Sequence, residues 1–202
     1  HRSCYNLQEK DLVTRAINEY AEYQGNIYIE EYDITKKLTK ETIRNMVINH
    51  IDITGRKPLL VIDYLQLIGL LGDKTEYKGL TDKQVMDIVV LSLKQISREL
   101  HIPVLVISSL NREATRSSRG YVGMASFKES GIIEYSSDVL ISIQFTEAFN
   151  EGFDFYKERE QNPRKVSLGI LKNRNGAIKK RIDYTYYPLF NYFKEDIEEI
   201  II

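Results

Sequence analysis

The run PLLVIDYLQL at residues 58–67 constrains this chain more than any other stretch: apolar residues at every position of 59–62 lead directly into Asp63. A strand with one wet face alternates, whereas an unbroken apolar run fits a strand covered on both faces, as in a parallel sheet. Open α/β sheets gather ligands at the carboxyl ends of their strands, which is where Asp63 falls. A carboxylate there can hold Mg²⁺ directly or through water, as in nucleotide-hydrolysing enzymes. Read from this segment alone, Asp63 could equally do no more than satisfy backbone donors in a turn.

A second run of the same kind, PVLVIS at 103–108, lies some forty residues on. Proline at the first position of a strand does least harm to the ladder. Between the runs, Thr81-Asp82-Lys83-Gln84 has the form of a capping box, and Val85, Val89, Leu93, Ile96 and Leu100 mark one helical face. Strand, helix and strand make a βαβ unit, right-handed by default. Upstream, the spacing predicts a helix over 7–23 ended by Gly25-Asn26 and a short strand over 26–30. A further helix over 39–51 follows, with Thr39 as N-cap and Leu38 stapled onto Ile43. Downstream come a helical turn near 128–135, a third apolar strand over 138–145 and a charged, irregular excursion over 146–163. Two strands at 165–171 and 178–186 flank KNRNG at 172–176, where Asn175-Gly176 signals a hairpin. The tail after Lys194 carries no pattern that places it.

Composition closes off several classes. With 202 residues the chain suits one domain, and a net charge of −1 rules out a broadly basic surface, so any nucleic-acid contact must come from local loops. The single Cys4 excludes an internal disulfide framework and fits a reducing compartment, here the cytoplasm. His1, His50 and His101 show no metal-ligand spacing, and no segment reads as a signal peptide or membrane span. The first residue is His1 rather than methionine, which suggests a piece of a longer polypeptide. No G-x-x-x-x-G-K-[ST] occurs, nor any Gly-Lys pair, so no visible loop cradles β- and γ-phosphates.

Three groups of residues could carry chemistry. Lys172 and Arg174 crowd the ascending edge of the hairpin turn, both expected to aim outward. They are either a solvated basic turn or a pair able to stabilise phosphate charge on a neighbouring subunit. The stretch 112–128 holds four cations, Arg112, Arg116, Arg119 and Lys128, against one acid, Glu113. Its glycines and serines would let backbone N–H groups approach a phosphate backbone, although a plain exposed loop explains it as well. Ser108 and Ser109 stand at a strand's carboxyl end, placed to sense a phosphate or water, or simply to cap the turn.

Taken in order, LLVIDYLQL (59–67), RELHIPVLVISSLNR (98–112), SFKESGIIEYSSD (126–138) and KNRNG (172–176) resemble the carboxyl-terminal motor domain of DnaB-type replicative DNA helicases. The resemblance runs from about residue 26 to 193. It implies an α/β fold of the RecA-like P-loop NTPase type: a mainly parallel twisted sheet flanked by helices, with a carboxyl-terminal antiparallel hairpin. The whole chain would be one partial domain whose phosphate-binding loop and catalytic glutamate lie upstream. The resemblance further implies ATP and Mg²⁺ as cofactors, with Asp63, Ser108 and Ser109 at the Mg²⁺–nucleotide site. Lys172 and Arg174 would reach the γ-phosphate held by the adjacent subunit. Arg112, Lys128, Glu129 and Gly131 would lie against single-stranded DNA, touching its backbone without reading its sequence. Ser109 stands where the family usually has glutamine, and Lys128 where it has arginine. The implied assembly is a homo-oligomeric ring, usually a hexamer, moving along one strand by ATP hydrolysis, with a primase or loader as further partner and no membrane. Alone, this chain is not expected to hydrolyse ATP. Another RecA-like ring ATPase, or a non-catalytic DNA- or partner-binding module, remains the alternative.

Overall fold

The computed structural model describes residues 6–31, 38–71, 77–109, 131–150, 152–178 and 181–196, with side chains except at 69–71 and 149. Two compact units emerge, His1–Lys36 and Lys37–Ile202. Among the described residues the first holds one α-helix, α1 (Leu7–Tyr23), followed by a 3-10 turn at Gln24–Asn26. Asn6 caps α1 by accepting from the Glu9 N–H, and Glu9 returns the bond to the Asn6 N–H. None of its residues is buried, and its apolar stripe of Leu12, Val13, Ile17 and Tyr20 stays exposed. Residues 26–30, expected to form a strand, have no ladder partner among the described residues, and Asn26 ends a 3-10 turn instead.

In the second unit, α2 (Lys40–Thr54) begins at the expected cap Thr39 and ends at Gly55. Gly55 takes φ 67°, a left-handed closure that costs glycine little. The strand β1 (Leu60–Ile62) follows, then α3 (Leu65–Leu71), α4 (Asp82–Leu100) and β2 (Val104–Val106). Thr81 and Gln84 close the capping box of α4 as its sequence requires. β1 and β2 pair in parallel with Leu60 opposite Val104 and Ile62 opposite Val106, so the strand–helix–strand reading holds. The core gathers Ile43 and Val47 of α2, Leu65 and Ile68 of α3, Val89, Leu93 and Ile96 of α4, and Ile102. Leu38 packs against it, as the staple predicts, together with Leu60, Ile62, Val104 and Val106.

The other face of this small sheet is open. Leu59, Val61, Leu105 and Ile107 are 56, 49, 48 and 46% exposed. The unbroken apolar run predicts a strand covered on both sides. Here α2, α3 and α4 cover only one side.

The expectation of a mainly parallel sheet needs a second correction. Among the described residues parallel pairing is confined to β1 and β2, while the larger sheet is antiparallel, in the order β3 (Val139–Phe145), β4 (Arg164–Asn173), β5 (Arg181–Tyr187), β6 (Tyr192–Glu195). β3, expected as a third apolar strand, pairs antiparallel along one edge of β4, while β5 takes the other edge. The ladder carries one irregularity: Ile141 faces Ile170 while Leu140 faces Lys172, leaving Leu171 as the extra residue of a bulge. The excursion expected to be irregular folds instead into a 3-10 turn and α6 (Phe155–Glu160). Asp154 caps α6, and the Phe155 ring lies edge-on to Phe145. Between the two sheets in sequence lies α5 (Gly131–Ser136).

One face of the antiparallel sheet is polar yet satisfied. The Ser167 hydroxyl bonds the Thr146 hydroxyl at 2.9 Å and donates to Asp183 at 2.6 Å. Thr185 donates to Asp196 at 2.7 Å, and Lys165 donates to both of them. No buried side-chain nitrogen or oxygen lacks a partner among the described residues, as a folded interior requires.

Candidate functional site

β1 ends at Ile62, so Asp63 is the first residue beyond a parallel strand, and it is exposed. The peptide joining it to Tyr64 is cis. Ser108 and Ser109 stand at the same end of the neighbouring β2, Ser108 half-buried and Ser109 exposed. Two backbone bonds extend the pairing past the strands: the Ile107 N–H donates to Ile62 O at 2.9 Å, and the Leu65 N–H donates to Ile107 O at 2.8 Å.

Gln66 completes this end of the sheet. Its amide nitrogen donates to Ser108 Oγ at 3.0 Å and Ser109 O at 3.3 Å, and its oxygen accepts from the Ser109 N–H at 3.2 Å. Sequence reasoning misses this residue. Its one signal is a lone polar side chain opening the otherwise apolar α3, LQLIGLL.

The donor set suits a metal that arrives with its ligand. Among the described residues, no three His, Cys, Asp or Glu side chains gather closely enough to hold an ion. Mg²⁺ asks for less than that: one or two carboxylates, with phosphates and waters completing its octahedron. An exposed carboxylate at a strand end beside hydroxyls meets this demand.

The hairpin cations do not aim outward as expected. Lys172 is half-buried, and its ammonium donates to Glu134 O and, at 2.9 Å, to Ser137 O. Arg174 donates to Tyr135 O and, at 3.3 Å, to Asp138 Oδ1. Both therefore cap the carboxyl end of α5, where carbonyls without helical partners and the helix dipole attract positive charge. The bulge at Leu171 turns Lys172 to the face of Leu140, which brings it to that helix end. Gly131 opens the same helix, exposed, with open space where a Cβ would stand. Arg112, Lys128 and Glu129 lie outside the described residues.

Electrostatics knit the two halves of the second unit. The Lys94 ammonium donates to Asp138 Oδ2 at 2.6 Å, and this bond above all holds the Asp138 carboxyl below the usual carboxylate range. Lys165, then Thr185, do the same for Asp196. For Asp183, burial pushes upward but the hydrogen bonds from Arg181 and Ser167 prevail. Each carboxylate binds its proton more weakly folded than unfolded. Its contribution is therefore present above the unfolded value of 3.8 and disappears as the pH falls below it. An Asp196→Asn variant is expected to melt about 1–3 °C lower than the parent at pH 6. The gap between the two melting curves should begin to narrow as the pH falls below 3.8 and close once the folded carboxyl is itself protonated. A gap that stays constant as the pH is lowered through the acid range would show that charge is not the cause.

The chain matches the family described as the DnaB-like helicase C terminal domain over residues 3–195. Among curated proteins it is 30% identical over 178 residues to the replicative DNA helicase DnaB of Mycoplasma genitalium, a match covering 87% of this chain and 36% of that protein. It is 32% identical over 120 residues to the DnaB of Geobacillus stearothermophilus, covering 59% of this chain and 24% of the relative. It therefore spans well under half the length of these relatives. Among solved structures, a DnaB-like replicative helicase studied with primase superposes with a TM-score of 0.71 at 20% identity, over 95% of this chain and 43% of that one. A separately solved ATPase domain gives the same score and identity over 98% of this chain and 63% of that one. Those likenesses establish a shared helicase ATPase-domain fold, in which parallel and antiparallel sheets are mixed, and the extended family match settles membership: this chain belongs to the DnaB-like helicase C-terminal domain family.

Proposed function

We propose that the chain is the carboxyl-terminal part of a ring-forming, ATP-dependent DNA helicase motor, a single partial RecA-like domain whose phosphate-binding loop is supplied from elsewhere in the parent protein. The observation that carries this reading is the exposed Asp63 at the end of β1, beside Ser108 and Ser109 on β2 and held in register by Gln66. In the complete protein Asp63 serves a Mg²⁺ bound to ATP, whose charge neutralises that developing on the phosphates. Ser108 and Ser109 line the same end. Lys172 and Arg174 reach the γ-phosphate of the adjacent subunit, which requires the head-to-tail interface of a closed ring, a hexamer in the form proposed here. Arg112, Lys128, Glu129 and Gly131 follow the backbone of single-stranded DNA as it passes through. A primase or loader is the further partner, and the setting is the cytoplasm. No described helix is long and apolar enough to cross a membrane.

Without a Gly-Lys pair anywhere in its 202 residues, the chain alone does not hydrolyse ATP. Action in trans is tested by mixing. Complete subunits carrying Arg174→Ala and subunits carrying Asp63→Asn, each inactive alone, should regain ATPase activity together, because each supplies what the other lacks. Failure to complement would refute the shared site. The DNA role has its own test. Lys128→Ala should weaken binding of unrelated single strands to similar extents and reduce the slope of log K against log salt by about 0.7. A change confined to one base sequence would contradict backbone tracking.

A second reading, a non-catalytic module or a RecA-like ring of another role, draws on the hairpin cations being engaged within their own chain. The complementation assay separates the two.

A further inference from the structure

We infer that Asp138 is the positioning residue for Arg174, an assignment that rests on reading Arg174 as the group acting on the neighbouring subunit's nucleotide. Arg174 is held at both ends by the segment leading into β3. Its N–H donates to Asp138 O at 2.9 Å, which pins the base of the residue to the ladder. Its guanidinium donates from NH1 to Asp138 Oδ1 at 3.3 Å and from NH2 to Tyr135 O. The second oxygen of the same carboxylate accepts from Lys94 at 2.6 Å.

Lys94 belongs to α4, whose Val89, Leu93 and Ile96 are buried in the core. Asp138 thus has one oxygen on the core helix and the other on the hairpin, and connects the rigid part of the molecule to the tip that must reach outward. Exposed ion pairs hold folds weakly. What this one fixes is direction, because an arginine free to sweep through its rotamers would give up part of its advantage to ordering on each turnover. The guanidinium is a planar fork of five donors. The contacts to Asp138 and Tyr135 leave donors over, and at 43% exposure the side chain remains accessible to a neighbour. Lys172 is tethered differently, to the carbonyls of Glu134 and Ser137. The carboxylate therefore acts on the arginine rather than on both cations.

The test uses the complete parent protein with Asp138→Asn, which keeps the shape and removes the charge. The expected result is a drop of about fivefold in kcat for DNA-stimulated ATP hydrolysis, the effect of one well-placed exposed pair, with KM for ATP and affinity for single strands unchanged. Lys94→Met should lower kcat in the same direction by a smaller factor, and Asp138→Glu should restore part of the loss. In an Arg174→Ala background, Asp138→Asn should subtract nothing further.

The decisive readout is complementation. Subunits with Asp138→Asn mixed with Asp63→Asn subunits should regain activity, because each Asp63→Asn subunit offers its neighbour an intact Arg174. Damage that merely loosened the subunit's own fold would not be repaired this way. An unchanged kcat, or a loss that Asp63→Asn subunits do not rescue, overturns the assignment. If Arg174→Ala itself also fails to complement Asp63→Asn, the underlying trans reading falls and takes this assignment with it.

Discussion

In the complete protein, Arg174→Ala is expected to lower DNA-stimulated ATP hydrolysis by about 10³-fold or more, the range in which arginines acting in trans contribute to phosphoryl transfer. Nucleotide binding should change little, because the guanidinium meets charge that develops only as the γ-phosphate departs. A loss of that size with an unchanged dissociation constant for ATP, measured by titration, is the signature of transition-state stabilisation. If ATP binding weakened in step with kcat, Arg174 would be a ground-state ligand instead. The geometry adds a condition. As found, Arg174 donates to Tyr135 O and Asp138, so in reaching a neighbour it must exchange or share these acceptors. A phosphate carrying more than one negative charge is a stronger acceptor than an exposed carboxylate that already serves Lys94.

The second large effect concerns the fold. Ile96→Ala should cost about 2–5 kcal/mol, the usual range for opening a cavity at a fully buried aliphatic position. Ile96 is 0% exposed and sits in the cluster formed by α2, α3 and α4, which also supports the inner faces of β1 and β2. Against a total stability of about 5–15 kcal/mol, such a loss leaves the two strands that present Asp63 and Ser108 poorly supported. Leu91→Ala on the same helix, where Leu91 is exposed, should change stability by no more than about 0.5 kcal/mol. Urea denaturation of both variants gives the comparison. Equal midpoints would mean that the cluster is not the core.

The two helix-bounded strands and the hairpin were legible because their signals are local. Thr39 and Thr81 cap where the sequence says they should, and the face drawn from Val85, Val89, Leu93, Ile96 and Leu100 is the one turned to the core. Asp63 and the two serines were legible for the same reason: a strand's end can be read from where its apolar run stops. What failed depends on partners distant in sequence. Residues 26–30 read as a strand, but a strand also needs a neighbour, and none pairs with them among the described residues. β3 was legible as an apolar strand, but its antiparallel pairing depends on β4, a partner that lies beyond the 146–163 excursion. Gln66, Asp138 and Lys94 carry no motif; their importance comes from contacts that span 36 to 44 residues. The expectation that Lys172 and Arg174 point outward assumed a regular hairpin. It overlooked that a helix ending at Ser136 would lay bare carbonyls beside them.

That irregularity has a consequence of phase. Counting back from Ile170 opposite Ile141 in an unbroken ladder would set Leu171 against Leu140 and Lys172 against Val139, and Arg174 would face Ser137 rather than Asp138. The surplus Leu171 acts as a one-step offset: it inverts which side of the ribbon each cation occupies and brings Arg174 level with its carboxylate. A ladder that took Leu171 into register would keep every charge in the turn and lose the alignment. In this hairpin the spacing of the residues governs reach as much as their identity does.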